Sequence, residues 1–506
     1  MKQIVLLPGT PDDVNREYLP EIIKTTDVVV NENGNNSQVY PARLSEHMQN
    51  IVDSEPDVWY EYVPETYDPT KKTALVFAMH GGLMTGWGQA IYTSWTQAAD
   101  RDGFIVVFPN AHSRRLWVVE CSMADCNPEE QAKKEGAILL NRYPEKPEDN
   151  HDIKFVFELL EHMKQKYNID EGRVFMQGMS LGNMMTTQFV KYFGNVLAGA
   201  AGAGGPSELE LLFNADGSLK NRAGHLAIWH SQPELNGMPP AKTYDELTVN
   251  KYNRLYWMHI NGCKGTPLIS ILGEDNFAFY QGEKAPLVWM DVKNRDHGQT
   301  LDDAMIEWDY YFSGIRREPD GSIMDTGSVL PRKGDAFAVA IAGGAKRAWF
   351  NQQLVELSTP VLRWEELKYH GLNGGQKVRG IYLCAPLSFI ADVFGAQVQT
   401  SDDTLSAVLT LPDGRRLQFA RGSIGCVIDQ TLRCMKCEAL HRDGELLIPF
   451  DWFCQTILNL HVSEYDGVLY ATDHHAELSM NMAQILRDLM MDTTDIDMLK
   501  MRGNRA

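Results

Sequence analysis

Cationic residues, cysteines and long apolar runs are all scarce in this 506-residue chain. It contains 47 Lys and Arg against 67 Asp and Glu, for a formal net charge of −20. This charge argues against a nucleic-acid or anionic-membrane partner, because phosphate recognition needs clustered cations. No apolar run approaches the roughly 20 residues that a membrane-spanning helix needs. Eight cysteines in so long a chain do not require a disulfide framework.

The N-terminus also lacks the features of a signal peptide. Its apolar stretch, Ile4–Leu7, is interrupted at Pro8 and is too short for a signal-peptide core. The chain as given is therefore expected to be cytoplasmic, or secreted or displayed at a cell surface if it is a trimmed form. A hydrophobic fraction of 44% predicts a globular protein, and the length predicts two or more domains.

Residues 58–316 alternate strand-like apolar segments with amphipathic, helix-like ones. The strands include TALVFAM and RVFMQG, and DIKFVFELLEHMKQKY is a typical helix. This order predicts an α/β fold in which helices cover both faces of a mostly parallel sheet. The polar, turn-rich residues 1–57 are expected to form an N-terminal extension.

The chain changes character after residue 316. Residues 317–335 are rich in Pro, Gly, Asp and Ser and are predicted to be a linker. Residues 336–475 read as short strands and turns with an internal repeat, in which 348–362 aligns with 426–440. They predict a smaller α+β repeat domain. An amphipathic helix and a polar tail are expected over 476–506.

The segment VFMQGMSLGNM contains a Gly-x-Ser-x-Gly motif centred on Ser180. The motif is common by chance, but here it lies between a predicted strand and a predicted helix. A sharp turn at that position would expose the serine hydroxyl at the helix N-terminus, and the glycines would permit close backbone approach. We therefore predict that Ser180 is a nucleophile.

A nucleophilic serine needs a base and an orienting acid, and in this fold class both follow it in the chain. His297 lies between a predicted strand and a helix, the position expected of the base. Two acids are candidates: Glu234, just past a strand, and Asp275, which closes an apolar run. We favour Glu234 because Asp275 lies only 22 residues before His297, too few for a crossover helix between parallel strands.

The oxyanion hole is expected at an early strand-to-loop turn. His80-Gly81-Gly82 ends the strand ALVFAM, so the Gly82 amide is one candidate donor and the Leu181 amide is the other. His80 itself is expected to be structural. Trp87, Met179 and Trp229 flank these segments and are candidate substrate contacts, although tryptophans at such positions also serve core packing.

With these segments assembled, residues 59–316 resemble the esterase family that includes polyhydroxybutyrate depolymerases and feruloyl and acetyl-xylan esterases. The resemblance rests on ALVFAMHGG, WTQAADRDGFIVVFPNA, RVFMQGMSLGNMM, YWMHINGC and DHGQT, in that order. It implies an α/β-hydrolase fold and a Ser-His-acid triad. The family's His-Gly-x-x-Asp reads HSQPE here, which puts Glu234 at the acid position. The family's Trp-Pro-Gly after the histidine is missing.

The C-terminal repeats resemble the stalk module named for the N-terminal domain of copper amine oxidases, a resemblance that implies no copper chemistry. The pattern predicts a cofactor-independent serine carboxylester hydrolase that acts through an acyl-enzyme, and the esterase resemblance implies feruloyl, acetyl or polyester-type esters as substrates. Its expected partners are that ester and, through the repeats, a polysaccharide or cell surface. A serine peptidase of the same fold and a non-catalytic binding protein with a degenerate hydrolase domain are the alternatives.

Overall fold

A computed structural model of the chain describes residues 41–120, 141–235, 244–370 and 375–493. These residues fall into two compact units. The first contains residues up to 265 together with 279–332, and the second contains 266–278 and the residues from 333 onward.

The first unit is built on a mixed sheet. Its strands are β1 (Leu44–Gln49), β2 (Asp57–Tyr62), β3 (Thr73–Met79), β4 (Ile105–Pro109), β5 (Ile169–Met179), β6 (Gly199–Ala203), β7 (Ala227–Leu235) and β10 (Leu287–Asp296). In the sheet they run in the order β1-β2-β4-β3-β5-β6-β7-β10. From β4 to β10 all neighbours are parallel, whereas β1 and β2 pair antiparallel at one edge.

Helices connect these strands. They are α1 (Gly86–Tyr92), α2 (Trp95–Asp102), α3 (His151–Lys166), α4 (Leu181–Phe193), α5 (Leu209–Leu212), α6 (Glu246–Asn261) and α7 (Asp303–Tyr310). Short 3-10 turns occur at Pro147–Asp149, Gly194–Val196 and Phe312–Gly314, and a small hairpin is formed by β11 (Ile315–Arg317) and β12 (Ile323–Asp325). Most of this hairpin lies within residues 317–335, the segment that the sequence predicted to be a linker.

The apolar runs of the sequence become the central strands. All seven residues of β3 are buried, as expected for a parallel strand covered on both faces. Some of the helices begin at a side-chain cap; the Asn150 side chain, for example, accepts a hydrogen bond from the Asp152 amide and starts α3. A mostly parallel sheet with crossover helices and a sharp turn between β5 and α4 is the α/β-hydrolase fold, and the predicted fold class is confirmed.

The second unit is rich in short strands. They are β8 (Leu268–Leu272), the start of β9 (Asp275–Tyr280), β13 (Ala338–Ala342), β14 (Arg347–Phe350), β15 (Gln353–Glu356), β16 (Leu362–His370), β17 (Gly375–Pro386), β18 (Gln397–Thr400), β19 (Ser406–Thr410), β20 (Arg416–Ala420), β21 (Gly425–Ile428), β22 (Thr431–Cys434), β23 (Leu440–Arg442), β24 (Glu445–Pro449), β25 (His461–Tyr465) and β26 (Val468–Thr472). From β13 onward they form three sheets, ordered β15-β14-β13-β26-β25, β16-β17-β24-β23 and β18-β19-β20-β21-β22. The helices are α8 (Leu387–Phe394), α9 (Phe450–Trp452) with a π-helical turn at Phe453–Ile457, and α10 (Met480–Met491).

The two repeat segments form the same local structure. Each begins with a hairpin, β14–β15 in the first copy and β21–β22 in the second. The turn residues Asn351 and Asp429 both have positive φ angles, of 43° and 55°, which asparagine and aspartate tolerate better than most residues. In both copies an apolar strand and a helix follow, β17–α8 and β24–α9. The resemblance of this unit to a stalk module stays a prediction.

None of the helices in the described part of the chain combines the length and the apolar character that crossing a bilayer requires.

Candidate active site

Ser180 occupies a strained turn between β5 and α4. Its φ and ψ angles are 55° and −118°, a combination that a non-glycine residue adopts only when the surrounding structure enforces it. The Ser180 amide donates to the Ala203 carbonyl at 2.8 Å, and its carbonyl accepts from the Met184 amide at 3.0 Å. These bonds fix the backbone on both sides of the turn and leave the hydroxyl at the N-terminus of α4.

The two glycines of the motif are required by close backbone approach. A Cβ atom at Gly178 would overlap the carbonyl oxygen of Gly182, so β5 and the first turn of α4 touch directly. A Cβ atom at Gly182 would overlap the Met79 carbonyl oxygen and lie 2.6 Å from that of His80. The glycines therefore allow α4 to begin in contact with the end of β3. The predicted oxyanion loop, residues 80–83, starts at this point.

His297 lies against the serine. Its Nε2 atom is 2.7 Å from Ser180 Oγ, although the two residues are 117 positions apart in the chain. His297 follows the last residue of β10 directly, and Ser180 follows β5, so both side chains project from the carboxyl ends of parallel strands. This distance lies within the range over which an imidazole can take a hydroxyl proton.

Of the two candidate acids, Glu234 lies close to the segment that leads into His297, residues 294–297. It is the penultimate residue of β7, it is 7% exposed, and its Oε2 atom accepts from the Asn294 amide at 3.0 Å. β7 pairs with β10, and Leu235 lies opposite the residue that immediately precedes His297. Asp275 is the first residue of β9 and belongs to the segment that groups with the second unit.

The two amides predicted to form an oxyanion hole are neighbours. A Cβ atom at Gly82 would lie 3.7 Å from the Leu181 Cβ. The oxyanion loop after β3 therefore lies beside the start of α4. Within the described ranges, neither the Gly82 amide nor the Leu181 amide donates a hydrogen bond to the protein. Backbone N–H groups left unpaired beside a nucleophile at a helix N-terminus can stabilise a developing negative charge.

His80 holds this loop in place. Its Nε2 atom accepts from the Ala111 amide at 2.9 Å, so its Nδ1 atom carries the proton and donates to the Gly81 carbonyl at 2.6 Å. Trp117 packs on the imidazole and donates its indole N–H to the His80 carbonyl at 2.8 Å. Burial lowers the pKa of His80 to about 4. The side chain is therefore neutral and structural in the fold.

This burial predicts a loss of stability in acid. The folded-state pKa of His80, about 4, lies below its ordinary value of 6.5. Between these pH values the unfolded state binds a proton that the folded state does not. The free energy of unfolding is therefore highest above pH 6.5 and decreases as the pH falls toward 4. Between pH 7 and pH 4.5 we expect His80 to contribute a loss of about 2 kcal/mol in the free energy of unfolding. Urea unfolding of the wild type and His80→Asn at both pH values measures it. An equal pH dependence in the two proteins would contradict this assignment.

The predicted substrate contacts differ in their surroundings. Met179, directly before the serine, packs with Tyr92, Ala203 and Met84 in a small apolar cluster. Trp87 is 5% exposed in α1, whereas Trp229 is fully buried and donates its indole N–H to Ser231 Oγ at 3.0 Å. The environment of Trp229 is thus that of core packing, the other role that the sequence allowed.

A buried amide pair below the site was not anticipated from the sequence. Gln177 on β5 donates to the Oε1 atom of Gln299 at 2.9 Å, and its own oxygen accepts from the Trp95 indole at 3.2 Å. Gln299 is two residues after His297, so this bond links the segment that contains His297 to β5, the strand that directly precedes Ser180. The DHGQT segment contained the signal, because a glutamine beside the candidate base needs a partner once it is buried.

Similarity to known proteins covers only part of the chain. No family model matches it. A bifunctional acetylxylan esterase/xylanase of Neocallimastix patriciarum is 25% identical over 147 residues, which are 29% of this chain and 17% of that protein. Among solved structures, an acetyl xylan esterase from Aspergillus awamori is 15% identical with a TM-score of 0.37, over 53% of this chain and 99% of its own. A ferulic acid esterase from Anaeromyces mucronatus is 15% identical with a TM-score of 0.32, over 54% and 92%. The chain therefore spans 17% of the length of the curated relative that it matches.

Proposed function

We propose that the first unit is a serine carboxylester hydrolase. The observation that carries the proposal is the 2.7 Å separation of Ser180 Oγ and His297 Nε2 at a strained strand-to-helix turn. A serine on a strained backbone turn, with its hydroxyl beside an imidazole, is the arrangement that nucleophilic acyl transfer requires. The sequence similarity to an acetylxylan esterase/xylanase supports an ester as the substrate.

In the proposed reaction, Ser180 attacks the ester carbonyl while His297 accepts its hydroxyl proton. Glu234 acts as the orienting acid, which favours the imidazole tautomer that can accept this proton and stabilises the imidazolium that forms. The Gly82 and Leu181 amides stabilise the tetrahedral oxyanion. His297 then protonates the leaving alcohol, and water activated by the same imidazole releases the acid from the acyl-enzyme.

The apolar cluster around Met179 supports a small or aromatic acyl group, such as acetyl or feruloyl, as the part of the substrate beside the nucleophile. A fluorophosphonate probe is expected to label Ser180, with p-nitrophenyl acetate and methyl ferulate turned over and aminoacyl anilides left intact. Turnover of anilides alone would indicate a peptidase. An unlabelled serine and no ester turnover would contradict the proposal and favour a non-catalytic binding protein.

The acid is tested by comparing two near-isosteric variants. Glu234→Gln is expected to lower kcat for p-nitrophenyl acetate by about 10⁴-fold, because the imidazole loses the partner that sets its tautomer. Asp275→Asn is the matched control and is expected to keep kcat within about twofold, because the proposal assigns the role of the acid to Glu234. Steady-state kinetics on folded proteins measures both. The reverse result would assign the acid to Asp275.

A further inference from the structure

Three side chains from distant parts of the first unit converge at a second site, which we call the Asp57 cluster. Asp57 begins β2, His112 follows β4 by three residues, and His151 is the first residue of α3. One ligand-capable atom of each lies within 4.8 Å of the others. The Asp57 carboxylate is fully buried, and each imidazole is 19% exposed, so the inner oxygen is shielded while solvent still reaches the rings.

The spacing of these atoms is close to that of a metal coordination shell. Asp57 Oδ1 lies 3.1 Å from His112 Nδ1 and 2.8 Å from His151 Nε2. In a tetrahedral zinc site with bonds of about 2.0–2.1 Å, neighbouring ligand atoms are about 3.3 Å apart. Both imidazoles therefore already direct one nitrogen at the same oxygen, and small shifts would admit an ion between the three atoms.

The outward nitrogens of the two imidazoles have carboxylate partners as well. His112 Nε2 is 3.2 Å from Glu55 Oε2, and His151 Nδ1 is 3.2 Å from Asp53 Oδ2. A metal-binding histidine characteristically donates its other N–H to a carboxylate, which fixes the tautomer and leaves the inward nitrogen free to bind. Here both histidines have that arrangement.

The charges of the cluster favour a cation. Asp53, Glu55 and Asp57 bring three formal negative charges, and a buried carboxylate needs a compensating charge. The two imidazole rings lie with their centroids 3.8 Å apart, and both face the Asp57 carboxylate. A divalent ion bound between these three groups would supply that charge. Two imidazoles and one carboxylate suit Zn²⁺ and related transition ions, whereas Mg²⁺ and Ca²⁺ prefer oxygen ligands.

We propose that Asp57, His112 and His151 bind one zinc-class divalent ion with a structural role. The ion links the start of β2, the segment after β4 and the start of α3. That segment also supports the oxyanion loop, since the Ala111 amide donates to His80 and the Arg115 carbonyl accepts from the Leu83 amide at 2.9 Å. The site does not depend on the proposed esterase function.

Calorimetric titration of chelator-treated protein with ZnCl₂ tests the site. The wild type is expected to bind one equivalent, and His112→Gln and His151→Gln are expected to weaken binding at least about 100-fold. Glu55→Gln, which removes only an outer partner, is expected to weaken it about tenfold. Substitution with Co²⁺ should give the visible absorption of a tetrahedral site in the wild type and not in His112→Gln.

The matched control is His475→Gln, in the second unit. His461, His475 and Glu477 form another group with ligand atoms within 4.8 Å of one another, so a zinc ion bound there would be lost in this variant only. We expect His475→Gln to bind as the wild type does. Absence of zinc binding by the wild type, wild-type affinity in both His112→Gln and His151→Gln, or loss of binding in His475→Gln would each overturn the proposal. If His151→Gln fails to fold because α3 begins there, His112→Gln decides alone.

Discussion

Ser180→Ala is expected to lower kcat for p-nitrophenyl acetate by about 10⁴-fold or more, because the variant lacks the hydroxyl that we propose as the nucleophile. His297→Ala is expected to have an effect of the same order, since its Nε2 atom, 2.7 Å from Ser180 Oγ, is the proposed base. The double variant should be no slower than either single one, because the two residues act as a unit. Steady-state kinetics with a probe-based titration of active sites measures all three.

The control for this series is Ser218→Ala. Ser218 is exposed, and its side chain bonds within its own turn, to Asp216 and Asn214, so its loss should leave kcat unchanged. Full activity in Ser180→Ala would contradict the serine mechanism. Additive losses in the double variant would show that the serine and the histidine act in separate steps.

The second large effect is expected for Gly182→Ala. The added methyl group would overlap the Met79 carbonyl oxygen, and backbone atoms cannot rotate away as a flexible side chain can. We expect a loss of about 3 kcal/mol in the free energy of unfolding, at the upper end for an overpacked site. We also expect kcat to fall on the order of 10²-fold, because the N-terminus of α4 positions both Ser180, the proposed nucleophile, and the Leu181 amide.

Gly194→Ala is the matched control at the other end of α4. Gly194 has a φ angle of −60°, and an added Cβ would find its nearest neighbours at 3.5 Å, an ordinary contact distance. Its free energy of unfolding should change by less than about 1 kcal/mol. Chemical denaturation and ester turnover on the same preparations compare the two variants. Equal stability of both would contradict the close approach of α4 to β3.

Several features of the first unit follow from short stretches of sequence. The strands β3 and β4 are continuous apolar runs, and α3 has an asparagine cap followed by an amphipathic pattern. The turn at Ser180 is encoded locally, because glycines at 178 and 182 permit the close contacts that the strained serine needs. Such signals act over a few residues, so they can be predicted without knowledge of the partners.

β6 is a feature that local signals did not predict. Its sequence, GAAGA, has little strand propensity, yet all five residues are buried between β5 and β7. Small residues are required there: a Cβ atom at Gly202 would overlap Asn183, whose side chain donates to the Gly204 and Gly205 carbonyls beside the nucleophile turn. Packing against α4, rather than propensity, makes this segment a strand.

The sequence by itself determined the fold class, the serine turn and the candidate base, because periodicity, turn chemistry and motif spacing are properties of neighbouring residues. Only the tertiary structure decided which distant groups meet. It brought Glu234, the acid that the sequence favoured, to the Asn294 amide, and it assembled Asp57, His112 and His151 from segments with no common motif. Such contacts depend on strand order and crossover connections, and no local pattern records them.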